Sequence, residues 1–232
     1  MNWSSQRQLN YLISLEKKEV LTDKDIILIS TFSKEQDRSI LSKDEEISIK
    51  SEVASQLVRF ESEFCKNVLL NLTYDENVLV RVEACDSLCI YNDKEVFNRL
   101  LELSTKDRCL VRNYAVMSMA DVAVNGDFNI NKTIELLWIN LLREKSKRVK
   151  MGYYYAFCVL GNREYYDVIL QHLSHNTCQI RCVAINNLLE LVEEDEYDKT
   201  LQCLIDCEKN EKDTVVRNSL SKAINHIKSR MN

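Results

Sequence analysis

The sequence predicts an all-α protein, an α-α superhelix arranged as a solenoid of about six helical hairpins. Three observations predict it. With 3 Gly and no Pro among 232 residues, the chain lacks the turn residues that β-sandwiches and barrels use in their hairpins. A hydrophobic content of 45% with a net charge of −5 is enough to fill a core and excludes a disordered chain. An apolar residue followed by Arg or Lys recurs six times, as Ile49-Lys50, Val80-Arg81, Val111-Arg112, Val149-Lys150, Ile180-Arg181 and Val216-Arg217. The basic residues are 31, 31, 38, 31 and 36 positions apart, a period that points to a repeat architecture.

Numbering each copy from its basic residue, positions −1, +3, +4 and +7 are mostly apolar. At 100° per residue they share one helical face. In the second copy they read Val80, Ala84, Cys85 and Leu88, and in the third Val111, Ala115, Val116 and Met119. A second amphipathic stretch precedes each later copy: Phe64–Leu72, Val96–Leu103, Ile134–Leu142, Tyr165–Leu173 and Thr200–Asp206. Polar joints separate the two, at Asp75-Glu76-Asn77, Thr105-Lys106-Asp107, His175-Asn176-Thr177 and Lys212-Asp213-Thr214, with side chains able to accept from the free amides of a helix start. Ahead of the repeats, Trp3–Leu15 and a stretch from Thr22 or Asp23 to Phe32 read as helices, and the polar stretch 34–44 as a loop. Residues 1–43 are expected to be degenerate capping helices and 44–232 one continuous repeat array.

A polar joint, then Val-Arg, then Ala three positions on and Leu seven on resembles a HEAT repeat in its short bacterial form, over roughly Asp44 to Ile227. The chain departs from that pattern in having no Pro in the joints, in Tyr153 and Leu220 where a small residue is usual, and in seven extra residues in the fourth unit. A tetratricopeptide array is the rival solenoid, but its 34-residue spacing and Trp/Gly/Tyr signature are missing. The resemblance implies a helical solenoid and leaves function open, because such repeats serve unrelated activities.

Function has to be read from surface positions. Placing +1, +2 and +5 on the open face of the second helices puts Val82, Asp86, Asn113, Tyr114, Met117, Met151, Tyr155 and Asn186 there, a partly apolar strip expected to grip a protein or peptide. The row Lys50, Arg81, Arg112, Lys150, Arg181 and Arg217 is either an electropositive track or a structural ladder to joint acids and carbonyls, and the structural use is the expected one. The aromatic cluster Trp138, Tyr153-Tyr154-Tyr155, Phe157, Tyr165 and Tyr166 is expected to fill the wider gap of the enlarged fourth unit, with Tyr155 pointing outward. The basic run Arg143–Lys150 in that unit keeps open a phosphate or acidic-partner site; otherwise it and the acidic Glu193–Asp198 are solvated connectors.

No metal is expected. His172, His175, Cys178 and Cys182 are split by a turn, and Cys89 with Cys158 (+8) and Cys109 with Cys178 (−3) share repeat positions, as packing residues would. With 3 His, no phosphate loop and no nucleophile elbow, no catalytic constellation assembles and no cofactor is expected. The leading expectation is a non-catalytic interaction scaffold or adaptor. The alternative is an enzyme on the same architecture, resembling the alkylpurine DNA glycosylases or the bilin lyases. Net acidity argues against a nucleic-acid partner. No membrane span is expected, and 9 Cys set in apolar runs suit a reducing cytoplasm.

Overall fold

The computed structural model describes residues 3–15, 17–18, 21–34 and 42–231. Of the loop expected at 34–44, positions 35–41 lie outside the described residues, and Lys43 and Asp44 already open a helix. Among the described residues there are thirteen α-helices and no strand. The chain divides into two compact units, residues 1–128 and 129–232.

In the first unit, α1 (Ser5–Leu15) and α2 (Asp23–Phe32) precede α3 (Lys43–Leu57). Then come the hairpins α4 (Glu63–Leu72) with α5 (Val78–Ser87), and α6 (Lys94–Lys106) with α7 (Cys109–Asn125). Helices α1, α3, α5 and α7 lie side by side as one layer; α2, α4 and α6 pack behind α3, α5 and α7. The second unit repeats the scheme with α8 (Ile130–Arg143) and α9 (Lys147–Val159), α10 (Glu164–Gln171) and α11 (Cys178–Leu191), and α12 (Tyr197–Asn210) and α13 (Thr214–Met231). There α9, α11 and α13 make the layer.

Helix starts carry the caps their side chains allow. Thr22 with Asp25 and Ser42 with Glu45 form reciprocal capping boxes. Ser62, Asn77, Asp93 and Asn129 each accept from an amide of the first turn. At the end of α9, Gly161 adopts φ +97°, a left-handed conformation open to glycine at little cost, and Asn162 N donates back to Phe157 O at 2.8 Å. Thr105 and Lys106, expected in a joint, instead form the last turn of α6.

The core is the −1, +3, +4, +7 face. Position −1 is at most 5% exposed in all six copies, and Tyr153 and Leu220, the two departures at +3, are 1% and 0% exposed. At +7, Leu57, Leu88, Met119, Phe157, Leu188 and Ile224 are likewise buried. In the third spacing, the one longer by seven residues, α7 continues past Arg112 to Asn125, whereas α5 ends at Ser87 and runs on only as a 3-10 turn to Ile90.

Candidate functional site

Five of the six cations at the repeat origin bond the joints, as a structural ladder would. Arg81, near the start of α5, donates Nε and Nη2 to the Asp107 carboxylate at 2.8 and 2.6 Å, and Nη1 to Asp75 O and Glu76 O at 2.8 and 3.1 Å. It thereby ties its own joint to the next one. Arg181 does the same with Glu211, at 2.7 and 2.9 Å, and with His175 O at 2.7 Å. Lys50 pairs with Asp75 and Glu46, both at 2.8 Å. Arg112 donates to Asp107 O and Arg217 to Glu211 O. Lys150 is half-buried and, among the described residues, makes no ion pair. The joint acids respond: burial raises the Asp107 carboxyl, but the Arg81 bonds, the Arg108 amide and nearby positive charge outweigh it and leave it below its usual range. Glu211 is lowered in the same manner.

The strip assigned to the open face divides. Asp86 and Asn186 are exposed and Tyr114 is half-buried. Val82, Asn113, Met117, Met151 and Tyr155 are 6%, 3%, 8%, 0% and 8% exposed, so no apolar strip meets solvent there. Tyr155 does not point outward; Tyr154 is the half-exposed member of its triplet. Helix geometry explains much of this. Position +1 lies 100° from the origin, on the flank of each second helix, and a layer of side-by-side helices buries flanks as well as the core face. The opposite flank, +6, carries a signal not used in reading the sequence. Ser87 donates to Ala54 O of α3 at 2.9 Å, and Asn187 of α11 to Met151 O of α9 at 3.1 Å, all buried. Gln56 and Ser118 hold the same position and are also buried. A polar residue recurring at +6 in four of six copies could have marked that flank.

The open face is therefore narrower and more polar than expected. In the first unit it carries Glu52, Glu83 and Asp86; burial first, then the charges of Asp86 and Glu52, push the Glu83 carboxyl up. Glu52 accepts from Gln56 at 2.9 Å. In the second unit Asn186, Leu189, Glu190, Lys222 and His226 line an open cleft of about 450 Å³ between α11 and α13.

The aromatic cluster fills the wedge between α8, α9 and α10. Phe157 and Tyr165 ring centroids are 4.8 Å apart, Trp138 and Phe157 5.3 Å, and Tyr154 stacks on Tyr165 at 5.7 Å. Tyr166 lies deeper, its hydroxyl 2.7 Å from that of Thr200. Arg163 bonds Glu196 and Leu191 O, so the acidic run is partly a docking point for this side chain. Among the described residues no three His, Cys, Asp or Glu side chains converge as for a metal ion, and no helix is long and apolar enough to cross a membrane.

Solved structures share this architecture. The complex of CpcE and CpcF of phycocyanin lyase from Nostoc sp. PCC7120 matches with a TM-score of 0.61 at 14% identity, over 98% of this chain and 96% of that one. The archaeal HEAT-like repeats protein from Thermococcus onnurineus NA1 matches with a TM-score of 0.41 at 14% identity, over 100% of both chains. The fold is an all-α helical repeat of stacked hairpins. No protein-family model matches the sequence, and no curated protein matches it significantly.

Proposed function

We propose that this protein is a non-catalytic interaction scaffold that binds a protein partner on the open faces of its second-helix layers. The observation that carries the reading is how the charges are distributed. The repeat cations are largely spent on joint acids and carbonyls, whereas Glu52, Glu83 and Asp86 stand together on the open face with the Glu83 carboxyl pushed up. An uncompensated acidic face repels a phosphate backbone and attracts a basic polypeptide surface. Rigid repeats suit the task because little conformational freedom is lost on binding. The expected experiment is affinity capture from native lysate with wild type and with Glu83→Lys plus Asp86→Lys. Loss of specific co-purifying proteins from the variant supports the reading, and an identical set of partners refutes it.

A second reading is a lyase-type subunit that works within a two-protein assembly. What favours it is the fold similarity, over nearly the whole chain, to a protein of the CpcE–CpcF complex of phycocyanin lyase. Its test is chromophore transfer to apo-phycocyanin by the purified chain together with its captured partner; no transfer beyond the uncatalysed rate removes this reading and leaves the scaffold reading standing.

A further inference from the structure

The joints share a local design. A joint carboxylate accepts an N–H bond from the start of the following helix: Asp75 from Asn77 at 2.8 Å, Asp107 from Arg108 at 2.5 Å, Glu144 from Ser146 at 2.7 Å and Glu211 from Asp213 at 2.8 Å. Three of these carboxylates also receive the cation of the preceding copy, from Lys50, Arg81 and Arg181. At the joint between α10 and α11 the same place is held by an imidazole. His175 Nδ1 is 3.0 Å from Thr177 N, and its backbone carbonyl takes Arg181, as Asp75 O takes Arg81. Lys150 stands 25 residues before His175, the interval that separates Lys50 from its partner Asp75. Here, however, the joint offers no negative charge.

Donor chemistry sharpens the mismatch. With Nδ1 accepting from the Thr177 amide, a neutral ring carries its proton on Nε2. Opposite Nε2, at 3.1 Å, is Lys147 Nζ, which at neutral pH can only donate. Two donors facing each other cannot satisfy one another, and because the pair is exposed an acceptor from solution can lie beside both. Burial first, then the charges of Lys147 and His172, lower the His175 pKa, and protonating the ring would only add a second donor, at Nδ1 facing the Thr177 amide. Asp206 and Glu211, which share a cavity of about 500 Å³ with His175, are already engaged by Lys209 and Arg181.

We propose that the joint between α10 and α11 is an oxyanion site, where a carboxylate or phosphate group from outside the chain takes the place of the missing joint acid beside Lys147 and His175 Nε2–H. Lys147 and His175 supply the facing donors, and Lys150 holds the ladder position whose counterparts Lys50, Arg81 and Arg181 each meet a joint carboxylate. A doubly charged phosphate or a carboxylate satisfies both donors at once, as the carboxylates do at the other joints. The site belongs to the second unit alone and does not rest on the scaffold reading.

The test is thermal unfolding of the full chain in increasing inorganic phosphate, and separately in acetate, each against chloride at matched ionic strength and pH. Wild type is expected to gain in unfolding midpoint with at least one of the two oxyanions, and the arm that responds identifies the source. His175→Asp, which restores the joint acid, is expected to unfold at a higher midpoint in chloride and to lose the oxyanion response. Lys147→Ala is expected to weaken the apparent affinity about tenfold, the loss of roughly one charge-assisted hydrogen bond. The proposal is overturned if neither oxyanion stabilises wild type over chloride. It is equally overturned if His175→Asp, or Lys147→Ala should the first variant not fold, responds as wild type does.

Discussion

Replacing Arg81 by Ala tests the ladder where its geometry is fullest. The guanidinium makes two bonds to Asp107 and two to the carbonyls of its own joint, and the paired side chains are only 14% and 12% exposed. Removing it strands the Asp107 carboxylate with the Arg108 amide as its remaining strong donor. Breaking a fully buried pair costs about 3–5 kcal/mol. Residual solvent at this site reduces that to about 2–3 kcal/mol. Repeat arrays do not always unfold in one step, so urea unfolding followed by circular dichroism should be joined by amide hydrogen exchange in α5 and α7. A loss of 2 kcal/mol corresponds to roughly thirtyfold faster exchange there. The double cycle with Asp107→Ala should return a coupling of about 1–2 kcal/mol. Lys209→Ala, which breaks an exposed pair with Asp206, is the control and should leave the unfolding curve unchanged. If Arg81→Ala behaves like that control, the ladder contributes nothing to stability and the structural account of the cations is wrong.

Other consequences can be checked alongside it. Ser87→Ala should lose about 1 kcal/mol and Asn187→Ala about 1–2 kcal/mol in urea unfolding, because each removes a buried bond between neighbouring helices of a layer. Asp25 accepts from Tyr11, Thr22 and Lys18, with the Tyr11 bond the largest cause of a carboxyl held well below its usual range. A depressed folded pKa contributes stability that is in place above the unfolded carboxyl pKa and is lost as the pH falls below it. Asp25→Asn should therefore lower stability at pH 7 by about 1 kcal/mol, as for a lost helix cap, and flatten the acid limb of the stability–pH curve; an unchanged limb would contradict the assignment. Burial pushes the Cys158 thiol up to about 12 and raises Cys85 further, so both should resist iodoacetamide at pH 8 in the folded protein and react on unfolding, as read by mass spectrometry. Rapid labelling of either in the native state would refute that burial.

Much of the fold was legible because its signal is local. The core face at −1, +3, +4 and +7 follows from periodicity along a single helix, and even the irregular Tyr153 and Leu220 occupy it. The candidate site was less legible. Met151 and Asn113 read as surface by their distance from the core face, yet they sit at +1, the flank that a layer of parallel neighbours covers. Asp86 and Asn186, farther round at +5, are exposed as expected, whereas Met117 and Tyr155 at the same position are 8% exposed. The cation row could be placed in sequence, but not its partners, since each carboxylate lies 25 to 30 residues downstream.

The sequence by itself determined that the chain is helical, where its second helices begin, and which stripe of each is core, because turn length and side-chain direction are properties of the local backbone. The tertiary structure alone decided which flanks are covered, which cations are neutralised, and that His175 stands where other joints turn a carboxylate to the cation of the preceding copy. Those outcomes depend on what stands beside a helix after stacking, and the neighbour across a layer is set by packing between segments about thirty residues apart.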